Sequence, residues 1–313
     1  MTAEQSPSVA VIVLNWNGTD DTLECLESLT HVTYPRAEIV VVDNGSRPSP
    51  RTAILTAYPT VTYIENDCNL GYAGGNNVGI RYALERGHDY VFVLNNDTIV
   101  EPDFVTAAVA AAESDSRIAV VGIKVLAFED PALVWVAYGE VTYRQGLVRL
   151  IGYYERDDER FAEQRDVEWV PGTALLLRRQ ALEQIGLFDE AFFAYHEDVD
   201  WCATAREQSW RVVFAPAARI LHKGHRSSGG KGYVTPRQYL AGRNMVRFVR
   251  KHARWHEALR FIAFQLGTLP FQYLRRCWSG EQQGVVLKVR GMLDALRDQP
   301  MPLTELGFQP EVR

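Results

Sequence analysis

The sequence predicts an α/β fold with a mostly parallel, Rossmann-like central sheet, helices on both of its faces and a helical C-terminal region. Short apolar runs alternate with helical stretches through the first third of the 313 residues. These runs are apolar throughout instead of alternating with polar residues, which is typical of parallel strands covered on both faces. From Pro236 onwards the periodicity is that of helices.

The first 125 residues contain five predicted strands and four predicted helices. The strands lie at residues 9–14, 39–42, 61–64, 90–94 and 118–125, and the helices at 19–29, 52–58, 76–86 and 104–112. The first helix is the clearest, because Leu23, Leu26 and Leu29 share one face. The glycine-rich segment 69–77 is predicted to be a loop.

The alternation of predicted strands and helices ends near Ala127. Strands are predicted at 134–138 and 141–144 around a turn at Gly139-Glu140, and the polar, aperiodic stretch 153–166 predicts a mobile loop. A strand at 174–177, helices at 179–185 and 199–208, and a strand at 211–215 follow. Antiparallel pairing is therefore expected to enter after the first half of the sheet.

The composition excludes several classes of protein. Hydrophobic residues make up 47% of the chain and charged residues 23%, as in ordinary globular proteins. A net charge of −6 argues against a nucleic-acid binder. The four cysteines lie far apart without a CxxC spacing, so reduced thiols are expected. Because neither a secretory signal nor a run of about 18 apolar residues is visible, we expect a cytoplasmic protein.

Positive charge is concentrated towards the C-terminus. Between Pro236 and Trp278 there are nine Arg and Lys residues and one acid, Glu257. One interpretation is that these helices only pack on the rest of the protein. The other is that they hold it peripherally on an anionic membrane face, with an apolar side made by Phe261, Ile262, Phe264, Leu266, Leu269, Phe271 and Leu274.

Polar side chains follow three of the predicted parallel strands. They are Asn15 and Asn17, Asp43, and the run Asn95-Asn96-Asp97. Each alone is explained by a turn or a helix cap. Together, at the carboxyl edge where open α/β sheets bind ligands, they predict a nucleotide crevice. Because GxGxxG and Walker A loops are both absent, a diphosphate is expected to be held through a divalent cation on a carboxylate such as Asp97.

The segment 69–77 has two interpretations. It is either a flexible connection or a loop that closes over the nucleoside, with Asn69 and Asn76 as hydrogen-bonding residues.

Two adjacent acids, Glu197 and Asp198, precede a predicted helix. Acids in a first helical turn suit the helix dipole, which is the simpler explanation. Adjacent like charges also raise one another's pKa, which suits a general base near neutral pH. The pair is therefore a candidate for proton transfer.

Two histidines, His222 and His225, follow a short apolar run, and one of them is a candidate metal ligand. The surrounding basic segment is interpreted either as a solvated loop or as a mobile cationic flap over phosphates. Its members are Lys223, Arg226, Gly229-Gly230 and Lys231.

These pieces, in this order, resemble the inverting family 2 glycosyltransferases of the GT-A fold, with the bacterial rhamnosyltransferase-like enzymes of cell-surface polysaccharide assembly as the nearest subgroup. The matching stretches cover roughly residues 8 to 230. They are Val-Leu-Asn-Trp-Asn-Gly (13–18), Val-Asp-Asn-Gly-Ser (42–46), Asn-Leu-Gly-Tyr-Ala-Gly-Gly-Asn-Asn (69–77), Leu-Asn-Asn-Asp (94–97), Gly-Leu-Phe-Asp-Glu (186–190), Glu-Asp-Val-Asp-Trp (197–201) and Leu-His (221–222).

The resemblance implies a role for each candidate residue. Asp43, Asn15 and Asn17 would line the nucleoside pocket, and Asn96 would lie near the ribose or diphosphate. Asp97 and His222 would ligate Mg²⁺ or Mn²⁺. Asp198 would be the catalytic base, supported by Glu197. Asn95 stands where the family's DxD-type motif usually has an acid, so a direct metal bond is not expected there.

The resemblance also implies the substrates and the division of the chain. The donor would be a dTDP- or UDP-sugar, L-rhamnose among them, and the acceptor a saccharide or a polyprenyl-diphosphate-linked saccharide. Residues 1–235 would form the catalytic domain, with a nucleotide-binding half at 8–125 and an acceptor-binding half at 126–235, and residues 236–313 a basic helical extension. The oligomeric state is left open, with a dimer among the alternatives.

Two other functions compete with this one. A sugar nucleotidyltransferase also uses acids and metals on an α/β fold, but it usually needs a basic glycine-rich loop near the N-terminus, and residues 15–20 contain no basic residue. A non-catalytic nucleotide-binding protein would not need Asp97, Asp198 and His222 together.

Overall fold

The computed structural model describes residues 6–144, 146–224 and 233–308. Its first half alternates strands and helices as predicted. The elements are β1 (Val9–Asn15), α1 (Thr19–Leu29), β2 (Ala37–Asp43), α2 (Arg51–Ala57), β3 (Thr62–Glu65), α3 (Gly71–Glu85), β4 (Tyr90–Asn95), β5 (Thr98–Val100), α4 (Phe104–Glu113) and β6 (Ile118–Ala127).

The second half contains shorter strands and then helices. The elements are β7 (Leu133–Val136), β8 (Tyr138–Val141), β9 (Val148–Ile151), β10 (Glu155–Arg156), β11 (Arg165–Asp166), β12 (Ala174–Arg178), α5 (Arg179–Ile185), α6 (Glu197–Glu207), β13 (Arg211–His222), α7 (Pro236–His252), α8 (Trp255–Cys277) and α9 (Gln282–Leu296). The predicted helical C-terminal region is confirmed.

One large sheet organises the fold, in the order β10-β7-β6-β12-β4-β1-β2-β3. The strands β3, β2, β1 and β4 are parallel, and β13 runs parallel to β6. Between β4 and β6 lies β12, which is antiparallel to both. The predicted mostly parallel sheet is therefore confirmed, and β12 begins at the edge where β4 ends.

Both faces of this sheet are buried, which explains why the strands are apolar throughout. On β1, Ala10 and Ile12 belong to one core and Val9, Val11 and Val13 to the other. The first core also includes Met245 and Phe248 of α7, so the C-terminal region contributes to it.

The glycine-rich segment 69–77 is not a loop, as the sequence had suggested, because α3 already begins at Gly71. A Cβ at Gly75 would lie 2.6 Å from Leu14 Cδ1, and one at Gly79 would lie 2.7 Å from Ile12 Cγ2. These glycines are therefore needed for their small size, which lets the helix approach β1 closely.

The predicted hairpin turn at Gly139-Glu140 is also wrong. These residues lie within β8, which pairs with β9, so the chain reverses after Val141. A Cβ at Gly139 would lie 2.3 Å from the Trp169 ring. Here too the glycine makes room for a neighbour. The polar stretch 153–166 contains the short strands β10 and β11 and a 3-10 turn at Glu159–Phe161.

The last strand, β13, is longer than predicted and ends at His222. A bulge between Ala215 and Arg219 lets it continue along β6 while its end also pairs with β5. His222 pairs with Thr98, directly after Asp97. In the described ranges, none of the helices is long and apolar enough to cross a membrane.

Candidate active site

Asn15 and Asp43 meet at the carboxyl edge of the parallel strands. They are register partners at the ends of β1 and β2, and neither is exposed to solvent. Asn15 Nδ2 donates to Asp43 Oδ1 at 2.7 Å and to Ser46 Oγ at 3.1 Å. The backbone N–H of Ser46 donates to Asp43 Oδ2 at 3.0 Å. The two predicted nucleoside residues thus form one preorganised polar network.

The neighbouring amides hold the loop after β1. Asn96 Nδ2 donates to Thr22 Oγ1 at 2.9 Å and to the carbonyl of Gly18 at 3.2 Å. Asn17 has a positive φ of 55°, and its backbone N–H donates to Ser46 Oγ at 2.8 Å. Asn96 therefore links the end of β4 to this loop, and Asn17 lies on the loop's exposed rim.

Asn69 lies just before α3 and Asn76 lies within it, and Asn69 contacts Asn44, the residue directly after β2. Asn69 Oδ1 accepts from Asn44 Nδ2 at 2.9 Å and from the backbone N–H of Gly71 at 2.8 Å. Asn76 is fully buried, and its Nδ2 donates to the carbonyl of Tyr72 at 2.9 Å. Asn69 therefore fixes the first turn of α3.

Asp97 and His222 form a buried pair. Asp97 lies between β4 and β5, and its Oδ1 is 3.1 Å from His222 Nε2. Their exposed fractions are 1% and 5%. Burial alone would raise the pKa of Asp97, but the hydrogen bond and the charge of His222 lower it below its usual value. The ring of Trp135 packs edge-on against His222, with 4.3 Å between centroids.

The donor set of this pair fits a divalent cation. Asp97 Oδ2 and His222 Nδ1 are buried and have no hydrogen-bond partner among the described residues. Asp97 Oδ1 and His222 Nε2, which hydrogen-bond to each other at 3.1 Å, are also near enough to bind one cation together once the proton between them is lost. No group of three or more His, Cys, Asp or Glu side chains assembles a complete metal site within the described ranges. A cation here would take its other ligands from substrate and water.

Asp198 lies in the first turn of α6, with its carboxylate held by two backbone N–H groups. Gly172 donates to Oδ2 at 2.7 Å and Val199 donates to Oδ1 at 2.8 Å. Gly172 lies two residues before the start of β12, and the backbone N–H of Asn95 donates to the carbonyl of the intervening Thr173 at 2.9 Å. The antiparallel strand therefore brings Asp198 to the same edge of the sheet as the end of β4.

The two adjacent acids differ in their surroundings. Burial raises the pKa of Asp198 to about 6, against the lowering effect of the two backbone donors. Burial and the charge of Asp198 raise the pKa of Glu197 well above its usual value. Glu197 Oε2 is buried without a hydrogen-bond partner in the described structure. Asp198 is therefore ionised at neutral pH, while burial and the neighbouring charge favour the uncharged form of Glu197.

Tyr72 links the two groups of acids. Its hydroxyl donates to the carbonyl of Gly172. Burial raises the pKa of Tyr72, and the charges of Glu197, Asp198 and Asp97 raise it further. A Cβ at Gly172 would lie 3.2 Å from both the Tyr72 hydroxyl and Asp198 Oδ2, so Tyr72 and Asp198 border the same space.

Sequence reasoning missed several residues of this site. Gly172 carried only the signal of a Pro-Gly turn before an apolar strand, and Tyr72 was one aromatic residue in a glycine-rich segment. Ser46 belongs to the motif Val-Asp-Asn-Gly-Ser (42–46), but the motif predicted no role for the serine. The predicted basic segment from His225 to Lys231 lies outside the residues that the structure describes. Lys223, which is described, donates to Asp21 Oδ1 of α1 at 2.9 Å.

A sequence model of the family described as Glycosyl transferase family 2 matches residues 8–186, which is more than half of the chain. The chain belongs to glycosyl transferase family 2. The resemblance inferred from the motifs is confirmed, and of the functions considered above the glycosyltransferase is the one that stands.

Known proteins show how far the likeness extends. This glycosyltransferase is 27% identical over 253 residues to the N-acetylglucosaminyl-diphospho-decaprenol L-rhamnosyltransferase of Mycobacterium tuberculosis, covering 74% of this chain and 81% of that protein.

Two solved structures share the fold of this glycosyltransferase. GalNAc-T7, solved with UDP, GalNAc and Mn²⁺, has a TM-score of 0.62 at 17% identity over 79% of this chain and 48% of that chain, so this chain spans about half of it. The mannosyltransferase PcManGT from Pyrobaculum calidifontis, solved with GDP-Man and Mn²⁺, has a TM-score of 0.58 at 16% identity over 95% and 89% of the two chains. The predicted GT-A fold is thereby confirmed.

Proposed function

We propose that this glycosyltransferase transfers a sugar from a nucleoside diphosphate to an acceptor hydroxyl in a single inverting displacement, with Asp198 as the general base. The observation that carries the proposal is the setting of the Asp198 carboxylate. It is buried, held by the N–H groups of Gly172 and Val199, and has a pKa of about 6. Such a group is ionised at neutral pH and still basic enough to accept a proton.

The reaction follows from that position. A lone pair on each Asp198 oxygen remains available beside its backbone donor. Asp198 accepts the proton of the acceptor hydroxyl while the acceptor oxygen bonds to the anomeric carbon. The bond from that carbon to the phosphate oxygen breaks, and its electron pair leaves with the nucleoside diphosphate. One displacement without a glycosyl-enzyme intermediate inverts the configuration.

The donor side is assigned to the opposite part of the site. We assign the nucleoside to Asp43, Asn15 and Asn17, with Asn96, Asn69 and Asn76 completing that half. Asp97 and His222 would hold Mg²⁺ or Mn²⁺, since their orphaned polar atoms and low exposure fit a cation. A bound divalent cation would neutralise charge on the departing diphosphate. The Mn²⁺ in the two structural neighbours supports this assignment.

The proposed acceptor is a saccharide linked to a polyprenyl diphosphate, and the proposed donor is dTDP-L-rhamnose, with a UDP-hexose as the alternative. The name of the mycobacterial relative, which specifies L-rhamnosyl transfer to an N-acetylglucosaminyl-diphospho-decaprenol, supports the acceptor and the choice of L-rhamnose. We retain the division into a catalytic domain at 1–235, with halves at 8–125 and 126–235, and an extension at 236–313.

The C-terminal extension is proposed to meet an anionic membrane surface through α8. Trp255, Leu259, Ile262 and Leu266 follow the spacing of one helical face, and their side chains are 50% to 76% exposed. Arg254, Arg260 and Arg275 of the same helix region are exposed as well. An open groove between α8 and α9, lined by Leu269, Tyr273, Val285, Val286 and Leu293, adds apolar surface beside this face.

Turnover of nucleotide sugars tests the proposal. A panel of dTDP- and UDP-sugars is screened by thermal shift with and without Mn²⁺, and the stabilising donor is assayed with a lipid-linked acceptor. We expect Asp198→Asn to remain folded and to bind the donor but to lose turnover by about 10²- to 10⁴-fold, because the base is removed. In the unchanged enzyme, kcat/KM should fall about tenfold per pH unit below pH 6 as Asp198 becomes protonated.

Two outcomes would count against it. Substantial turnover by Asp198→Asn would exclude Asp198 as the base. An acid limb near pH 4, the usual range of an aspartate, would show that the buried carboxylate does not govern the reaction.

A further inference from the structure

The loop that leads into α6 is held by a side chain from the C-terminal region. We propose that Asn244 of α7 is a positioning residue for glycosyl transfer, because its amide fixes the segment Phe192–Tyr195, which delivers Glu197 and Asp198 to the site. This inference rests on the proposed role of Asp198 as the base. It gives α7 of the C-terminal region a part in placing the base.

The loop has an unusual backbone. Phe193, Tyr195 and His196 have positive φ angles of 62°, 69° and 71°. Residues other than glycine adopt this left-handed backbone conformation at a cost in free energy, so contacts with the surrounding structure must stabilise the loop. His196 is the residue directly before α6, so the conformation of this loop sets where the first turn of the helix begins.

Asn244 supplies the contacts that hold the loop. Its Nδ2 lies 2.9 Å from the carbonyl oxygen of Phe192, 2.8 Å from that of Ala194 and 2.7 Å from that of Tyr195. An amide nitrogen has two hydrogens, so three carbonyls at these distances share them. Asn244 is fully buried, which removes water as a competing donor.

The remaining carbonyl of the loop is also satisfied. The backbone N–H of Ala73, in the first turn of α3, donates to the carbonyl of Phe193 at 3.0 Å. A Cβ at Gly71 would lie 2.4 Å from that same oxygen, so the loop and α3 are in close contact. The loop is therefore enclosed between α3 of the nucleotide-binding half and α7.

A second contact from α7 fixes the other side of the acids. Lys251 Nζ lies 2.7 Å from Asp200 Oδ2, and His252 Nε2 lies 2.8 Å from Asp200 Oδ1. Asp200 is 3% exposed and stands two residues after Asp198. Helix α7 thus holds α6 both before and after the pair Glu197 and Asp198.

The consequence is that α7 acts on the chemical step and not on donor binding. The contacts of Asn244 with the loop, and those of Lys251 and His252 with Asp200, do not involve Asp43, Asn15 or Asp97. Loss of the amide would leave the donor network intact and allow Asp198 to move relative to the anomeric carbon, and displacements of about 1 Å cost on the order of 100-fold in rate.

The test compares Asn244→Leu with Arg243→Met. Leucine has a similar size to asparagine and no donor. Arg243 is the adjacent residue of α7, is 8% exposed, and donates to the carbonyl of Gln299, away from the loop. For Asn244→Leu we expect kcat to fall on the order of 10- to 100-fold with a donor KM close to that of the unchanged enzyme. Arg243→Met should lower the melting temperature but keep kcat.

The pH profile separates positioning from a general loss of stability. A loop released from Asn244 admits water to Asp198 and reduces the burial that raises its pKa. The acid limb of kcat should then move below pH 6 in Asn244→Leu and stay in place in Arg243→Met. If Asn244→Leu does not fold, Lys251→Met, which removes one of the two contacts to Asp200, is expected to give the same pattern with a smaller loss.

The outcomes are distinguishable from those of the proposed function. A folded Asn244→Leu with unchanged kcat, or an equal loss of kcat in Arg243→Met, overturns the positioning role. Asp198→Asn is assayed alongside. If it is inactive while Asn244→Leu is fully active, only this inference fails; if it is active, the assignment of the base fails first.

Discussion

Glu197 and Asp198 are neighbours in sequence but differ in how their carboxyl groups are held. Asp198 has two backbone donors, whereas Glu197 Oε2 has no hydrogen-bond partner in the described residues. Burial and the charge of Asp198 raise the pKa of Glu197 well above its usual value and so favour its protonated form. In that form Glu197 keeps a second negative charge away from the base.

Glu197→Gln tests this assignment. A carboxamide resembles the protonated acid, so we expect kcat to fall by less than about tenfold, in contrast to loss of the base. The raised pKa of Glu197 means that the native state is favoured at low pH and loses stability as pH rises towards that pKa. The melting temperature of Glu197→Gln relative to the unchanged enzyme should therefore increase between pH 5 and pH 9, as measured by differential scanning fluorimetry. A difference that shrinks with rising pH would contradict it.

At the residue scale, the sequence predicted the polar strand ends well. Asn15, Asp43 and Asp97 were found because they directly follow apolar strands that end at one edge. Gly172 and Asn244 could not be found this way. Their roles depend on which distant segments pack together, and neither the antiparallel insertion of β12 nor the docking of α7 leaves a local periodic signal.

At the scale of elements, glycine determines how closely α3 packs on the sheet. The three atoms nearest a Cβ at Gly79 all belong to Ile12, at 2.7, 2.9 and 3.1 Å. Ile12 is fully buried in β1. The sequence predicted a helix at Gly79 but a loop over the preceding residues 69–77, because glycine favours both flexible backbone and close helix packing and composition alone does not distinguish them.

Gly79→Ala and Gly267→Ala should have opposite effects on stability. At Gly79 an added methyl group overpacks the core, which typically costs about 1–3 kcal/mol. Gly267, in α8, has no atom within 4 Å of its Cβ position, so alanine should stabilise that helix by up to about 1 kcal/mol. Urea unfolding of the two variants measures the difference. A more stable Gly79→Ala would show that α3 can move away from β1 at little cost.

The same close approach recurs between the C-terminal helices. A Cβ at Gly242 of α7 would lie 2.0 Å from the carbonyl oxygen of Lys288, and one at Gly291 of α9 would lie 2.1 Å from that of Tyr239. The two helices therefore touch along their backbones. This contact fixes the position of α7, and with it that of Asn244.

At the scale of the whole molecule, the C-terminal region joins both sides of the site. The Phe308 ring lies 4.9 Å from Phe193 of the loop before α6 and 6.0 Å from Trp16 after β1, measured between centroids. Much of the positive charge of α7 is used internally, as in the contacts of Lys251 and His252 with Asp200. The exposed face of α8, with its apolar and basic side chains, is the surface that we assign to an external partner.

Binding to liposomes tests the membrane proposal. The protein should pellet with vesicles containing anionic lipid more than with neutral vesicles, and added salt should weaken the binding. Leu266→Glu should reduce binding by about tenfold or more, because Leu266 is 71% exposed and would lose its apolar contact. Thr52→Glu, an exposed position on α2 packed on the other core of the sheet, adds the same charge as a control. Equal binding to neutral and anionic vesicles would refute the proposal.

The strand β12 has a consequence for how such enzymes can be recombined. It belongs to the second half of the sequence, yet it lies between β4 and β6 of the first half and pairs with both. A ribosome must therefore synthesise the chain as far as Arg178 before β4, already paired with β1, can gain its second neighbour. A chimaera that exchanges residues 8–125 with those of another enzyme would place a foreign strand at the centre of the sheet. An exchange that keeps β4, β6 and β12 from one parent would preserve the sheet on which the site is built.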